Sequence, residues 1–411
     1  MSKKKGTAPR RRMAGAVMAF FFLAFLLLAV RDRSTTGWIL CVAVPGIIFL
    51  GTYLLPHVFP GDDLLLSLTN FLCALGVLVL YVTNPAYARH QATAYAVGVG
   101  CMIFCAYMIR AVRSWRTPVL LLLPLSLVLL ALPLLFSDEI NGARNWLSVG
   151  SISFQPSEVT KVSLVLILSW FMSRRKMFPW LFFTVACLLL LMLQKDLGTA
   201  LIYYCVTLIL YWVSSGNVAV TGLGLAGGAA TAYLGYRMFS HVRTRVAIWI
   251  NPWSNFEGAG YQVVQGLMAL ASGGLFGVGL GLGTPTAIPV YESDFIFAVI
   301  CEQFGLIFGI CVLLMYVALI WRGATVAIAA RHSFYGLLAM ACAALLGIQT
   351  FIIIGGVLKL IPLTGVTMPF VSYGGTSLIS SMCLIGFIQG VASINEDDLA
   401  EDRRIAMLDR G

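Results

Sequence analysis

The chain has 411 residues, of which 60% are hydrophobic and 11% charged, and it carries a formal net charge of +10. A soluble domain of this length has about a quarter charged residues, so the composition excludes a globular protein covered by water on all sides. The cationic excess sits outside any soluble basic domain, which argues against nucleic acid as a partner.

The apolar residues come in blocks of about 20, the length that crosses a bilayer as a helix. Their spacing predicts an all-α, polytopic membrane protein, a bundle of about twelve transmembrane spans. These lie near 13–30, 38–55, 64–82, 91–109, 118–136, 157–172, 179–193, 197–214, 218–236, 295–321, 334–356 and 370–392. Residues 1–12 form a basic segment containing Lys3, Lys4, Lys5, Arg10, Arg11 and Arg12. Such a flank stays in the cytoplasm and attracts anionic lipid headgroups. The first apolar run ends on Arg31-Asp32-Arg33 and not on a small-residue cleavage site, so it reads as a retained span.

With the N-terminus inside, Arg110, Arg113, Arg116, Arg174, Arg175, Lys176, Arg322 and Arg331 all fall in the cytoplasm. An even number of spans returns residues 393–411 to the same side as a short solvated tail with Glu396, Asp397, Asp398, Glu401 and Asp402. Two outer segments remain, Ser137 to Pro156 and a long ordered loop over 237–293. Long ordered loops are more often functional than not. The middle of this one, from Tyr261 to Leu280, is apolar enough to lie in the interface or re-enter the bundle.

Cys41, Cys73, Cys101, Cys105, Cys187, Cys205, Cys301, Cys311, Cys342 and Cys383 lie almost wholly within apolar runs and include no CxxC pair. They read as small apolar residues and not as disulfides or metal ligands. His57, His90, His241 and His332 are scattered. No acidic cluster has metal-ligand spacing, and no cofactor is called for.

An ionisable group at membrane depth is costly and usually kept for a function. Asp294 begins a span after the longest loop. It reads either as a helix N-cap or as a base that takes a proton from a sugar hydroxyl. Asp196 opens Asp196-Leu197-Gly198-Thr199-Ala200, where capping is the better reading. Glu158 and Lys161 share a helix face behind Pro156, as a buried ion pair or as substrate contacts. Arg243 and Arg245 flank a span, either snorkelling to headgroups or gripping a diphosphate. The glycines from Gly273 to Gly283 follow no strand, so they are no dinucleotide fingerprint; close packing or a tight re-entrant turn fits them better.

Seven blocks in order resemble the SEDS family, which includes FtsW, RodA and SpoVE. They are Asn141-Gly142-Ala143-Arg144-Asn145-Trp146; Gln155-Pro156-Ser157-Glu158 with Lys161; Asp196 to Ala200; Arg245 to Pro252; Gly260-Tyr261-Gln262 with Gln265 and the glycines to Gly283; Ser293-Asp294-Phe295-Ile296-Phe297-Ala298 with Glu302; and Pro362 to Ser377, including Ser372-Tyr373. The sequence departs from the family's usual pattern at Asn251, Gln303, Val290, Lys195, Val357 and Lys359.

The resemblance implies a ten-span core behind about two extra N-terminal spans, with domains 13–136 and 137–392. It also implies a peptidoglycan glycosyltransferase of the bacterial cytoplasmic membrane that polymerises lipid II and acts with a class B penicillin-binding protein. The residue matching the family's catalytic aspartate is Asp294. Arg144, Trp146, Glu158, Lys161, Arg243, Arg245, Gln262, Gln265, Glu302, Ser372 and Tyr373 are candidate contacts for lipid II, the nascent glycan strand or diphosphate. A divalent cation such as Mg2+ could arrive on the substrate diphosphate. A lipid-linked sugar flippase, with polar groups expected near the bilayer midplane, is the main rival. A non-enzymatic scaffold, which would have no use for Asp294, is the next.

Overall fold

A computed structural model of the protein describes residues 7–54, 60–138, 143–150 and 152–408. Lys3, Lys4, Lys5 and the Asn141-Gly142 start of the first sequence block lie outside the described residues. Fourteen α-helices are described: α1 Thr7–Asp32, α2 Thr35–Phe49, α3 Asp63–Thr83, α4 Pro85–Ala111, α5 Arg116–Phe136, α6 Pro156–Ser173, α7 Met177–Leu193, α8 Leu197–Ser215, α9 Val218–Met238, α10 Ser240–Ile250, α11 Tyr261–Gly273, α12 Ile296–Ala329, α13 Ser333–Val357 and α14 Gly375–Leu408. A small antiparallel hairpin, β1 Leu147–Val149 and β2 Ile152–Phe154, pairs Leu147 with Phe154. Ten of the helices are long and apolar enough to cross a membrane; α7 is apolar but shorter. Each of the twelve sequence blocks overlaps a helix, but ten among the described residues meet the length and apolarity of a span, and α6 and the shorter α7 are not among them.

Local chemistry sets the helix ends. Asp62 accepts from the Leu65 amide at 2.9 Å to start α3, and Asn84, followed by Pro85, caps α4 through the Ala86 amide. Gly216, at φ 64°, closes α8 in the left-handed conformation.

The interior is built by α3, α4, α6, α13 and α14. Lipid gives helices no hydrophobic reason to associate, so close contact at small residues takes that part. Gly386 lies against the Met102 carbonyl and Gly390 against Ile109, which seats α14 on α4. In contrast α9 buries no residue and touches its neighbour α8 at Gly224 and Gly228, where Tyr204 bonds the Gly224 carbonyl.

Three segments differ from the sequence expectation. The last span starts at Gly375 and not near 370, because Met368 to Tyr373 form a turn. It then continues as helix to Leu408, so the short solvated tail is an extension of α14, held by Arg110 to Asp397 at 2.9 Å and by Arg331 to Asp402. The loop over 237–293 holds α10, α11 and two 3₁₀ turns, Pro252–Asn255 and Pro285–Ala287.

The helix α12 is also broken at Gly305, whose φ of 86° and ψ of 167° are not helical. The glycine-rich stretch fills this break. The Val278 and Gly279 amides donate to the Glu302 and Gln303 carbonyls at 2.9 and 3.0 Å, and the Leu306 amide donates to Gly274 O at 2.9 Å. The tight-turn reading of the glycines holds, and the turn packs into a helix. Arg31, at the end of α1, donates to Leu280 O at 3.2 Å and closes over Gly281.

Gly277 has a φ of 81°, and a Cβ there would collide with Gln303 O. Gly277→Ala is expected to lower stability by about 1–3 kcal/mol. Gly222→Ala, with open space around it, should leave it unchanged. Thermal unfolding of both variants in detergent checks this.

Candidate functional site

Asp294 lies two residues ahead of the first residue of α12, Ile296, and does not cap that helix. The N-cap is Phe295, with no side-chain hydrogen bond, and Asp294 Oδ1 accepts from Ser293 Oγ at 2.8 Å. The capping reading is thereby corrected, and the carboxylate is left for other work. It is partly exposed, and its backbone is fixed by the Asp294 amide on Val290 O at 3.2 Å, with Val290 itself at φ 55°. Desolvation pushes its pKa above the ordinary aspartate value. The Ser293 hydroxyl and the Arg245 guanidinium oppose that rise, and Glu292 adds to it.

The connection between α13 and α14 holds this segment. Tyr373 N donates to Glu292 O at 2.8 Å, and the Ser372 hydroxyl bonds the Ser293 carbonyl while accepting from Met368 N at 2.8 Å. From α4, Gln91 donates to Ser372 O at 2.9 Å, and Tyr87 packs its ring 4.7 Å from that of Tyr373. Ser372 therefore braces the segment that carries Asp294, and its hydroxyl is committed to backbone. Tyr373 is half-buried beside Tyr87.

Arg245 reaches the same place from α10. A Cβ built on Gly365, which has a φ of 75°, would lie 3.6 Å from Asp294 Oδ2 and 3.8 Å from Arg245 Nη2. Asp294 and Arg245 therefore lie on either side of Gly365, whose positive φ, and not crowding, is what favours glycine there. Arg245 also donates to Leu363 O at 3.1 Å, and Trp249, one turn on, donates to Lys359 O at 3.0 Å. Arg243 is exposed on the same helix and shares no contact with Asp294.

Asp196 caps α8 through the Thr199 amide at 3.1 Å, as its position in the sequence indicates. Its other oxygen accepts from Gln155 at 3.0 Å and Asn145 at 3.5 Å, so it ties the first two blocks to the third. Arg144 is exposed and its amide donates to Gln194 O at 3.2 Å; the half-buried Trp146 offers its carbonyl to Ser137. Gln155, which opens the second sequence block, is not among the candidate site residues.

Of the two readings of Glu158 and Lys161, the structure has the buried ion pair and not the substrate contact. They form an ion pair at 2.6 Å with side chains only 7% and 2% exposed. Lys161 also donates to Gln349 at 3.0 Å, and Ser380 donates to Glu158 at 2.9 Å. Gln349 in turn donates to Thr367 O at 2.8 Å, and Thr367 bonds Ser377 at 2.6 Å. This network reaches the turn that braces Asp294 from below, with no face left for substrate.

Glu302 is buried under the glycine turn, accepting from Thr284 N at 2.9 Å. Gln262 donates to Pro289 O at 2.9 Å and Gln265 is half-buried on α11, so these two shape the loop leading to Asp294. A cleft of about 550 Å³ lined by Asp62, Arg322, Asn395 and Glu396 lies at the other end of the bundle and includes none of these residues.

The order of these blocks and the bundle that carries them can be compared with known proteins. The model of the FtsW/RodA/SpoVE cell cycle protein family matches residues 62–397. The chain belongs to this family. Its match begins at the start of α3, so α1 and α2 precede it. The chain is 33% identical to a peptidoglycan glycosyltransferase RodA from Mycobacterium leprae over 361 residues, covering 80% of this chain and 77% of that protein. It is 32% identical to stage V sporulation protein E from Bacillus subtilis, covering 80% of this chain and 96% of the relative. Among solved structures it resembles a chain from a peptidoglycan synthase complex that coordinates polymerization and crosslinking. There the TM-score is 0.68 at 27% identity, over 82% of this chain and 98% of that one.

Removing one partner of a buried pair strands the other charge. Lys161→Met is expected to cost about 3–5 kcal/mol of stability. The double variant Glu158→Gln with Lys161→Met should cost less than Lys161→Met alone. Chemical denaturation in detergent gives the comparison.

Proposed function

We propose that this protein is a peptidoglycan glycosyltransferase that polymerises lipid II into glycan strands, with Asp294 as general base. The observation that carries this reading is an aspartate freed from capping, partly desolvated and set across Gly365 from Arg245. Family membership and relatives named for this activity support it. The acceptor sugar's 4-hydroxyl attacks the anomeric carbon of the growing lipid-linked strand. Asp294 takes the hydroxyl proton, the new C–O bond forms, and the bond to diphosphate breaks with inversion. Undecaprenyl diphosphate leaves, its charge met by Arg245 with Arg243 nearby. A divalent cation such as Mg2+ would come with the substrate's diphosphate, and no step here uses it.

The orientation follows from charge. Arg110, Arg174, Arg175, Lys176, Arg322 and Arg331 lie at helix ends opposite the one that Asp294 precedes, which supports a cytoplasmic location for that end and, with it, for both termini of the chain. Asp294 then faces outward, where peptidoglycan is built. A class B penicillin-binding protein is the expected partner, supported by the likeness to a chain from a complex that couples polymerization to crosslinking. A flippase would gather its polar groups near the midplane, whereas Asp294, Arg245, Asp196 and Glu292 gather at one end.

Two outcomes are expected in a labelled lipid II assay with the partner present. Asp294→Asn should lose about 100-fold or more of the polymerisation rate while its unfolding temperature stays near wild type. The base form of Asp294 is the active one, so activity should fall as pH drops through its raised pKa. Arg245→Gln removes a field that lowers this pKa and should move the acid limb to higher pH.

A further inference from the structure

The site has one group that the mechanism above leaves idle. His241 lies one turn before Arg245 on α10, and its Nε2 is buried with no hydrogen-bond partner. Positions 241, 245 and 249 share a helix face, and Arg245 and Trp249 use that face to bind the α13–α14 connection. The charges that act on His241 are both cations, Arg245 on its own helix and Lys195 from the turn between α7 and α8. Phe239 packs its ring 5.5 Å away. The next acids, Asp196 and Asp294, act on Arg245 and are otherwise occupied: Asp196 with Thr199 and Gln155, Asp294 with Ser293.

The buried Nε2 of His241 has no hydrogen-bond partner, and the two charges that act on the ring are both cations. Burial, then Arg245 and Lys195, hold its pKa below the ordinary histidine value, so the free site keeps it neutral near pH 7. The ligand that suits all three groups is an oxyanion with several oxygens, since it accepts from guanidinium, ammonium and imidazole together. A buried nitrogen left unbonded costs free energy that such a ligand would recover.

We propose that His241, Arg245 and Lys195 form a subsite for a diphosphate, and that His241 takes up one proton from solvent as the anion enters. This rests on the transferase reading, in which the diphosphate is that of the polyprenyl leaving group. The bound anion reverses the local field, so the doubly protonated imidazole is favoured only while diphosphate is present. As pH rises, the proton is lost and the anion is held less tightly. His241 is thus a positioning residue for the leaving group, separate from the base at Asp294.

Calorimetric titration of the full chain in phosphatidylcholine nanodiscs with inorganic pyrophosphate tests this without turnover. Wild type should bind more weakly as pH rises, with a slope steeper than that of His241→Gln by up to about tenfold per pH unit. Measurements in buffers of different ionisation enthalpy should show proton uptake that the variant lacks. Comparison with the variant removes the titration of pyrophosphate itself. Equal pH slopes and equal proton uptake in the two proteins overturn the proposal, as does failure of wild type to bind pyrophosphate. Loss of the His241-dependent binding when phosphatidylglycerol is added to the nanodisc assigns the site to lipid headgroups and also overturns it. None of these results bears on the lipid II assay with Asp294→Asn, so the subsite and the polymerase reading can fail separately. Unfolding temperatures of wild type and His241→Gln should agree, and a folded variant that keeps the wild-type slope counts against the proposal.

Discussion

The whole arrangement depends on a backbone splice between two segments distant in sequence. Glu292 and Ser293 give their carbonyls to Tyr373 N and the Ser372 hydroxyl, and Ser372 takes the Met368 amide in return. At membrane depth no water is on hand to satisfy such groups, so irregular backbone survives only where protein supplies every partner. The splice meets that demand, and in doing so it fixes Asp294 at the mouth of the bundle instead of in the first turn of α12. A catalytic base must be held to within a fraction of an ångström of its proton donor, and rigid backbone partners do that better than a side chain on a free loop.

The buried pair Glu158–Lys161 has its meaning in this context. An ion pair inside a bundle is poor evidence for stability, because desolvation offsets most of the attraction. What it offers is direction. From the pair, hydrogen bonds pass through Gln349 to Thr367, one residue ahead of Met368, and through Ser380 to the start of α14. The two helices flanking the Ser372 turn are therefore set by one polar centre. The same residues that look in sequence like a substrate motif act here as the foundation of the turn.

Much of the fold was legible in the sequence because hydrocarbon imposes a simple rule of length and polarity. Each of the twelve apolar blocks overlaps a helix, ten helices are long and apolar enough to cross a membrane, and the acid at Asp196 caps as its place before Leu197 indicates. The errors have physical causes. The tail reads in the sequence as a short solvated segment, and it is exposed, but it continues α14 as helix, with Asp397 paired to Arg110 and Asp398 and Asp402 to Arg331, partners that composition alone does not show. The break at Gly305 was hidden because a run from Ile296 to Ala329 is apolar on both sides of it. Only the glycine turn more than 20 positions earlier, which needs the freed carbonyls, gives it away. For Asp294, its position before an apolar run favoured a cap, but Phe295 stands at that place and the Asp294 carboxylate takes the Ser293 hydroxyl instead. His241 gave no signal, since its neighbours in space come from Lys195 and Arg245 rather than from a motif.

The family match begins where α3 begins, which makes α1 and α2 look like an addition to a complete machine. Arg31 contradicts that. Its guanidinium closes on the Leu280 carbonyl and lies over Gly281, on the turn that fills the break in α12. That bond ties the end of α1 to the turn. A shortened chain starting at Asp62 would keep all of the matched residues 62–397, yet it would leave that carbonyl without its donor. In this protein the boundary of the family and the boundary of the folding unit are different places.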